Sequence, residues 1–102
     1  MAEIGDALRG IVARILEGEG RASRADRRAA FDNQGLRGAV AVLVQKVAKR
    51  AHQVTDEDVS AVRESGLSED QIFEIVISAA IGQAKRQYDT AVAALASAST
   101  KE

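Results

Sequence analysis

The chain contains no cysteine, no proline and no tryptophan, and its 102 residues include a single histidine. Without cysteine it cannot form a disulfide, supply a thiolate nucleophile or hold zinc or an iron–sulfur cluster through sulfur. A histidine-rich metal site within one chain is not expected either, and no cofactor is predicted. The 14 basic and 15 acidic residues leave a net charge of −1. This balance argues against the strongly basic surface of a general nucleic-acid-binding protein.

Long apolar runs are also missing. No stretch approaches the ~20 apolar residues that cross a membrane, and the amphipathic start, "MAEIGDALRGIVARIL", is too interrupted by charge to be a signal peptide. We therefore expect a cytoplasmic protein with no membrane segment. Its length allows one domain with a modest core, which oligomerisation would help to stabilise.

Helical periodicity runs through most of the chain. Apolar residues recur at intervals of three and four, and no segment shows the sustained alternation of a strand, so the sequence predicts an all-α fold of about five helices. The first is expected over 4–16 and ends at "EGEG", the second begins after Ser23, and the third covers 36–53. The segment that contains the second helix is rich in arginine, with Arg21, Arg24, Arg27 and Arg28. We favour a solvated helix face over an anion-binding patch here.

The sequence repeats one pattern twice after residue 53. "VTDEDV" and "LSEDQI" each place an apolar residue, a hydroxyl N-cap, an acid or amide three residues later, and another apolar residue. This is a capping box with a hydrophobic staple. The pattern predicts a fourth helix over 56–65, ended by Gly66 in the left-handed conformation, and a fifth helix that begins at Glu69.

The fifth helix, expected over 69–96, is apolar around most of its circumference. Its polar residues form a narrow strip consisting of Glu74, Ser78, Gly82, Lys85 and Asp89. A helix that is apolar on nearly all sides has to be covered on nearly all sides, so we expect a homo-oligomer built on this helix. The interface candidates are Ile72, Phe73, Val76, Ile77, Ala80, Ile81 and Tyr88.

The segment 40–95, above all "GLSEDQIFEIVISAAIGQAKRQYDTAVAAL", resembles the AhpD-like, carboxymuconolactone decarboxylase family. The resemblance implies an AhpD-like helical core over 36–97 in a protein that forms dimers, trimers or hexamers. Residues 1–35 do not match the family and are expected to form a helical extension, and residues 98–102 a frayed tail, within the same single domain. The redox branch of that family carries Cys-x-x-Cys-x-x-x-His, which corresponds to Ala51, Val54 and Asp58 here, and its acidic residue would fall near Ala39. None of these positions matches, so the redox chemistry is not carried over.

Three functions remain open at this stage. The first is a non-redox oligomeric scaffold or interaction protein. The second is a non-thiol enzyme with decarboxylase, isomerase or lactone chemistry, for which the weak catalytic candidates are His52, Asp58 and Arg86. The third is a small-molecule binding module with a pocket between the third and fifth helices.

Each catalytic candidate also has a structural interpretation. His52 is expected at the edge of the third helix, where packing against a neighbouring helix is favoured over acid–base work. Arg86 lies on the apolar side of the fifth helix, where it needs a partner, either an anionic ligand or an acid among residues 56–58. The alternative is that the helix has already emerged into solvent at this position. Those three acids are typical of a helix's first turn, so metal binding is not favoured there.

Overall fold

The computed structural model describes residues 2–100, and this part of the chain is all-α, as predicted. Five α-helices follow one another: α1 (Ala2–Glu17), α2 (Arg24–Asp32), α3 (Gly38–Lys49), α4 (Asp56–Glu64) and α5 (Glu69–Thr100). A short 3-10 turn, Ala51–Gln53, separates α3 from α4. None of the helices over 2–100 combines the length and apolarity needed to cross a membrane.

The helix boundaries follow the predicted capping signals closely. Thr55 and Asp58 form a complete capping box at the start of α4. Ser68 and Gln71 exchange the same pair of hydrogen bonds at the start of α5, at 3.1 and 2.8 Å. Ser23 accepts a hydrogen bond from the Asp26 amide before α2. Because these side chains satisfy the free amides of a first helical turn, they fix where each helix begins.

The end of α3 differs from the prediction. The helix stops at Lys49 instead of continuing to Gln53, and Arg50 leaves the helical conformation with φ −150° and ψ 54°. The chain then makes the 3-10 turn, after which Val54 is extended and leads into the Thr55 cap. Residues 51–53 are therefore part of a connection and are exposed to solvent.

Helix α5 is the central element, since it contacts α1, α2, α3 and α4. The core consists of two clusters along it. One joins Ile75 and Ala79 to Val44 and to alanines of the α2 region, and the other joins Ile72 to Leu43 and Val62. Ile72 is only 6% exposed, so it belongs to the core of its own chain. Its prediction as an interface residue is corrected.

The middle of the narrow polar strip of α5 is buried. Ser78 is fully buried and Gly82 is also buried, because this strip is where α2 packs against α5. A Cβ atom on Gly82 would overlap the carbonyl oxygen of Phe31 and come within 2.7 Å of its carbonyl carbon. Small side chains on α5 therefore allow the backbone of α2 to approach very closely.

The molecule is elongated because α5 extends past the other helices. Its radius of gyration is 15.4 Å, whereas a compact chain of this length has about 13 Å. From Thr90 to Ser99, every residue is exposed except Val92, which is half-buried. The helix continues to Thr100, so the tail predicted to fray is helical over 98–100. Lys101 and Glu102 lie outside the described residues.

Candidate functional site

The positions that correspond to the redox motif lie in and after the 3-10 turn. Ala51 is exposed and Val54 is half-buried. Val54 packs against the cluster around Leu43 and Val62, where it closes the core beneath the turn. His52 is exposed in the same turn. The sequence predicted that α3 would continue to residue 53 and that His52 would pack at its edge. Because α3 ends at Lys49, His52 instead lies outside the helix and faces solvent.

Asp58 is committed to holding the start of α4. Its Oδ2 accepts hydrogen bonds from the Thr55 amide at 2.9 Å and from Lys46 Nζ at 2.8 Å. The hydrogen bond from Lys46, followed by that from the Thr55 amide, lowers the pKa of Asp58 below its ordinary value. Asp58 is thus a carboxylate that joins α3 to α4 through two hydrogen bonds to its Oδ2.

Arg86 has a partner that the sequence did not indicate. Its Nη1 donates to the carbonyl oxygen of Phe31 at 2.6 Å, and its Nη2 donates to Oε1 of Gln83 at 3.0 Å. Phe31 lies in the last turn of α2, where carbonyl oxygens lack partners within the helix and a positive charge is favourable. Arg86 therefore caps α2, in place of the anionic ligand or the acids of 56–58 considered as its partners.

The three catalytic candidates are thus not assembled into a site. His52, Asp58 and Arg86 lie on three different elements, and within residues 2–100 they share no hydrogen bond or ion pair. Groups of three or more histidine or acidic residues that could hold a metal ion are also absent from the described residues. The geometry gives the enzyme hypothesis no particular support.

Glu74 anchors the loop between α1 and α2, a role that the sequence did not reveal. Its two carboxylate oxygens accept hydrogen bonds from the amides of Arg21 at 2.9 Å and Ala22 at 3.0 Å. The bond from Ala22, followed by that from Arg21, lowers the pKa of Glu74. Gly20 passes so close to this carboxylate that a Cβ atom there would overlap it. Sequence reasoning missed this role because Glu74 is 53 residues from Arg21. No local sequence pattern links an acid to a loop so far away along the chain.

Arg27 lies beside this anchor and is only 5% exposed. Its Nη1 donates to the carbonyl oxygen of Ile15 at 2.8 Å, near the end of α1, while its Nε has no hydrogen-bond partner. The cation again meets the carbonyl end of a helix, which is favourable. This burial corrects the prediction of a solvated arginine-rich face at this position. Arg24 and Arg28 on the same helix are exposed.

A cleft of about 250 Å³ opens between α1, α2 and α5 next to Arg27. Its charged residues are two arginines and two glutamates, Arg14, Arg27, Glu19 and Glu74, so their charges balance. Glu74 and Arg27 already bond to backbone groups. Small-molecule sites usually occupy ~300–1,000 Å³, and this cleft is smaller. It does not have the character of a ligand pocket.

The side of α5 that faces away from α2 is apolar and largely uncovered. We call it the outer face and define it by five exposed residues, Phe73, Ala80, Ala84, Ala91 and Leu95. Phe73 is 64% exposed and Leu95 is 59% exposed. Among the other interface candidates, Val76, Ile77, Ile81 and Tyr88 are half-buried. The Tyr88 hydroxyl lies beside Gly5, so α1 covers that edge of the outer face.

The outer face is also free of charge. The charged residues of segment 73–100 all lie on the other side of α5: Glu74, Lys85, Arg86 and Asp89. Glu74 holds the α1–α2 loop, Arg86 caps α2, and Lys85 pairs with Asp89. An exposed helix side that is apolar and uncharged over most of 32 residues is typical of an interaction surface.

Comparison with protein-family models, curated proteins and solved structures finds no match for this chain.

Proposed function

We propose that this chain is a helical interaction protein whose copies assemble through the outer face of α5. The observation that carries the proposal is the exposure of Phe73 and Leu95 on an uncharged side of the longest helix. Covering such surface gains roughly 25 cal/mol for each Å² removed from water. A second copy is an immediately available partner, because it presents the same face.

The proposal includes the expected kinship. We regard the chain as a cysteine-free relative of the AhpD-like family that keeps a helical scaffold without thiol chemistry. The pattern in residues 66–95 supports this kinship. The absence of cysteine from the whole sequence supports a role that does not depend on a thiolate.

The C-terminal part of α5, which extends past the other helices, also supports assembly. An isolated helix of about 12 residues is only marginally stable in water, and the segment from Thr90 to Ser99 is almost entirely exposed. Contacts with another copy would stabilise it. We therefore expect the free chain and the assembled chain to differ most in the protection of these amides.

A matched pair of charge substitutions tests the proposal. Ala84→Glu places a carboxylate at the centre of the outer face. Ala93→Glu introduces the same side chain nine residues later, which at ~100° per residue is the opposite side of the helix. Both alanines are exposed, and glutamate is a good helix former, so circular dichroism should show that both variants remain folded.

Native mass spectrometry and sedimentation velocity over a wide concentration range provide the measurement. We expect the unmodified chain and Ala93→Glu to associate, and Ala84→Glu to associate at least ~10-fold more weakly, because a charge would be buried in the contact. A chain that stays monomeric at every concentration would refute the proposal. Equal association of the two variants would place the contact elsewhere on the molecule.

A further inference from the structure

Helix α5 carries a heptad repeat along its outer face. Apolar or uncharged residues recur with alternating spacings of four and three from residue 73 to residue 98. One set, at position a of the repeat, consists of Ile77, Ala84, Ala91 and Ala98. The other, at position d, consists of Phe73, Ala80, Gln87 and Ala94. All are exposed except Ile77, which is half-buried.

This spacing is the pattern of two helices that wind around each other. A helix that only covers the core of its own chain has no reason to maintain this spacing beyond that core. The repeat nevertheless continues through residues 90–99, which we call the projecting segment, where most residues are exposed. The repeat continues through that segment without a charged residue. The partner is therefore expected to contact the covered and the projecting halves of α5 alike.

The side chains along the repeat differ in size from one end to the other. Phe73 and Ile77 are large and lie at its start, while Ala91, Ala94 and Ala98 are small and lie at its end. In a parallel pair, Phe73 would face Phe73 and Ala98 would face Ala98, so the two helices would have to diverge. An antiparallel pair places the two large side chains, Phe73 and Ile77, opposite small ones.

One antiparallel register satisfies every position of the repeat. It sets Phe73 opposite Ala98 and Ile77 opposite Ala94. Further inward, it sets Ala80 opposite Ala91 and Ala84 opposite Gln87. Each of these pairs joins a d residue to an a residue, and the small alanines allow the helices to approach closely, near the ~8 Å lower end of the usual separation.

We propose, resting on the self-association described above, that two copies pair their α5 helices antiparallel, with a two-fold axis between Ala84 and Gln87. Such a contact is isologous, because the same surface is used by both subunits. Each projecting segment, 90–99, then lies along the part of the partner's outer face that starts at Phe73. In this arrangement the exposed end of α5 in one copy covers the exposed outer face of the other.

The size of the contact predicts a reversible pair. Phe73 to Ala98 spans ~38 Å of helix, and with a helix diameter of ~10 Å the footprint is on the order of 400 Å². Stable interfaces bury ~800 Å² per partner. We therefore expect association that depends on concentration.

Spin labels on single cysteines test the arrangement, and the cysteine-free chain needs no background substitutions. Ser99→Cys and Ala93→Cys place labels at exposed positions outside the a and d sets. In the proposed register, the two copies of residue 99 are ~40 Å apart along the axis and the two copies of residue 93 are ~22 Å apart. In a parallel pair, the axial separation would be zero at both positions, so residue 93, which faces away from the contact, would give a distance at least as long as residue 99.

Double electron–electron resonance on the full chain distinguishes the outcomes. A distance at residue 99 that is clearly longer than the distance at residue 93 supports the antiparallel register, because the axial separation is greater at residue 99. A distance at residue 99 no longer than that at residue 93 would overturn the register while leaving self-association intact. No dipolar signal, together with a monomeric mass in sedimentation, would overturn the self-association on which the register rests.

Discussion

Replacing Gly82 by alanine should destabilise the protein by driving α2 away from α5. The new methyl group would overlap the Phe31 carbonyl oxygen and come within 2.9 Å of the Phe31 Cα. These are backbone atoms, so no side-chain rotation relieves the overlap. The same carbonyl accepts the hydrogen bond from Arg86 at 2.6 Å, so moving Phe31 would also disturb the C-terminal cap of α2.

The magnitude follows from two opposing effects. Overfilling a packed interior typically costs 1–3 kcal/mol, and a backbone clash with loss of a charged hydrogen bond puts this case at about 3 kcal/mol. Alanine recovers about 1 kcal/mol, because it is a better helix former than glycine. We expect a net loss of about 2 kcal/mol, which for a domain of this size lowers Tm by roughly 10 °C.

Gly10 provides the matched control. It lies in the interior of α1, and a Cβ atom there would contact nothing within 4 Å. Gly10→Ala should therefore raise stability by about 0.5–1 kcal/mol. Urea unfolding followed by circular dichroism measures both variants. If Gly82→Ala is as stable as the unmodified chain, the close approach of α2 to α5 is wrong.

Two further substitutions test the anchors between helices. Glu74→Gln leaves one acceptor oxygen for the two amides of Arg21 and Ala22, so it should cost ~1–2 kcal/mol at neutral pH. Because the folded pKa of Glu74 is lowered from 4.5, its contribution is complete above that value and disappears as pH falls through the folded pKa. Urea titrations at several pH values should show the difference from the unmodified chain shrinking in acid, and a constant difference would contradict the role of the charge. Thr55→Ala removes the N-cap of α4 and should cost about 1 kcal/mol, whereas Thr55→Ser should retain most of the stability in the same assay. Equal losses in the two variants would show that the hydroxyl is not what matters.

The helix starts could be predicted because capping is a local effect. Ser23, Thr55 and Ser68 each bond to an amide three residues along the chain, so the pattern of three or four consecutive residues contains all the information. Gly66 ends α4 with φ 109°, a conformation that glycine adopts without strain. The same local reasoning gave the all-α fold.

The end of α3 could not be predicted in this way. The apolar spacing continues through Val47 and Ala51 to Val54, and no glycine or proline marks the break at Arg50. With α3 extended, His52 was placed on a helix edge, whereas the 3-10 turn exposes it. The position of His52 therefore depended on a boundary that has no signal of its own.

The burial of part of the polar strip of α5 could not be predicted either, for a different reason. A helical wheel ranks residues by polarity, and Glu74, Ser78 and Gly82 all rank as non-hydrophobic. Their surroundings depend on what α2 and its preceding loop bring to them: two amides for Glu74 and the Phe31 carbonyl beside Gly82. Arg86 and Arg27 follow the same rule, since each bonds to a backbone carbonyl of another helix. Backbone groups are present at every residue, so sequence patterns do not reveal which of them a side chain meets.

The attachment of α2 to α5 also sets the order in which the chain can fold during its synthesis. Glu74 is 53 residues from Arg21, and Arg86 is 55 residues from Phe31. At the usual ~5–20 residues per second, α5 follows α2 by roughly 3–11 seconds. Throughout this interval the first two helices lack α5, which both of them contact in the finished fold. The first third of the chain thus waits longest for its final packing partner.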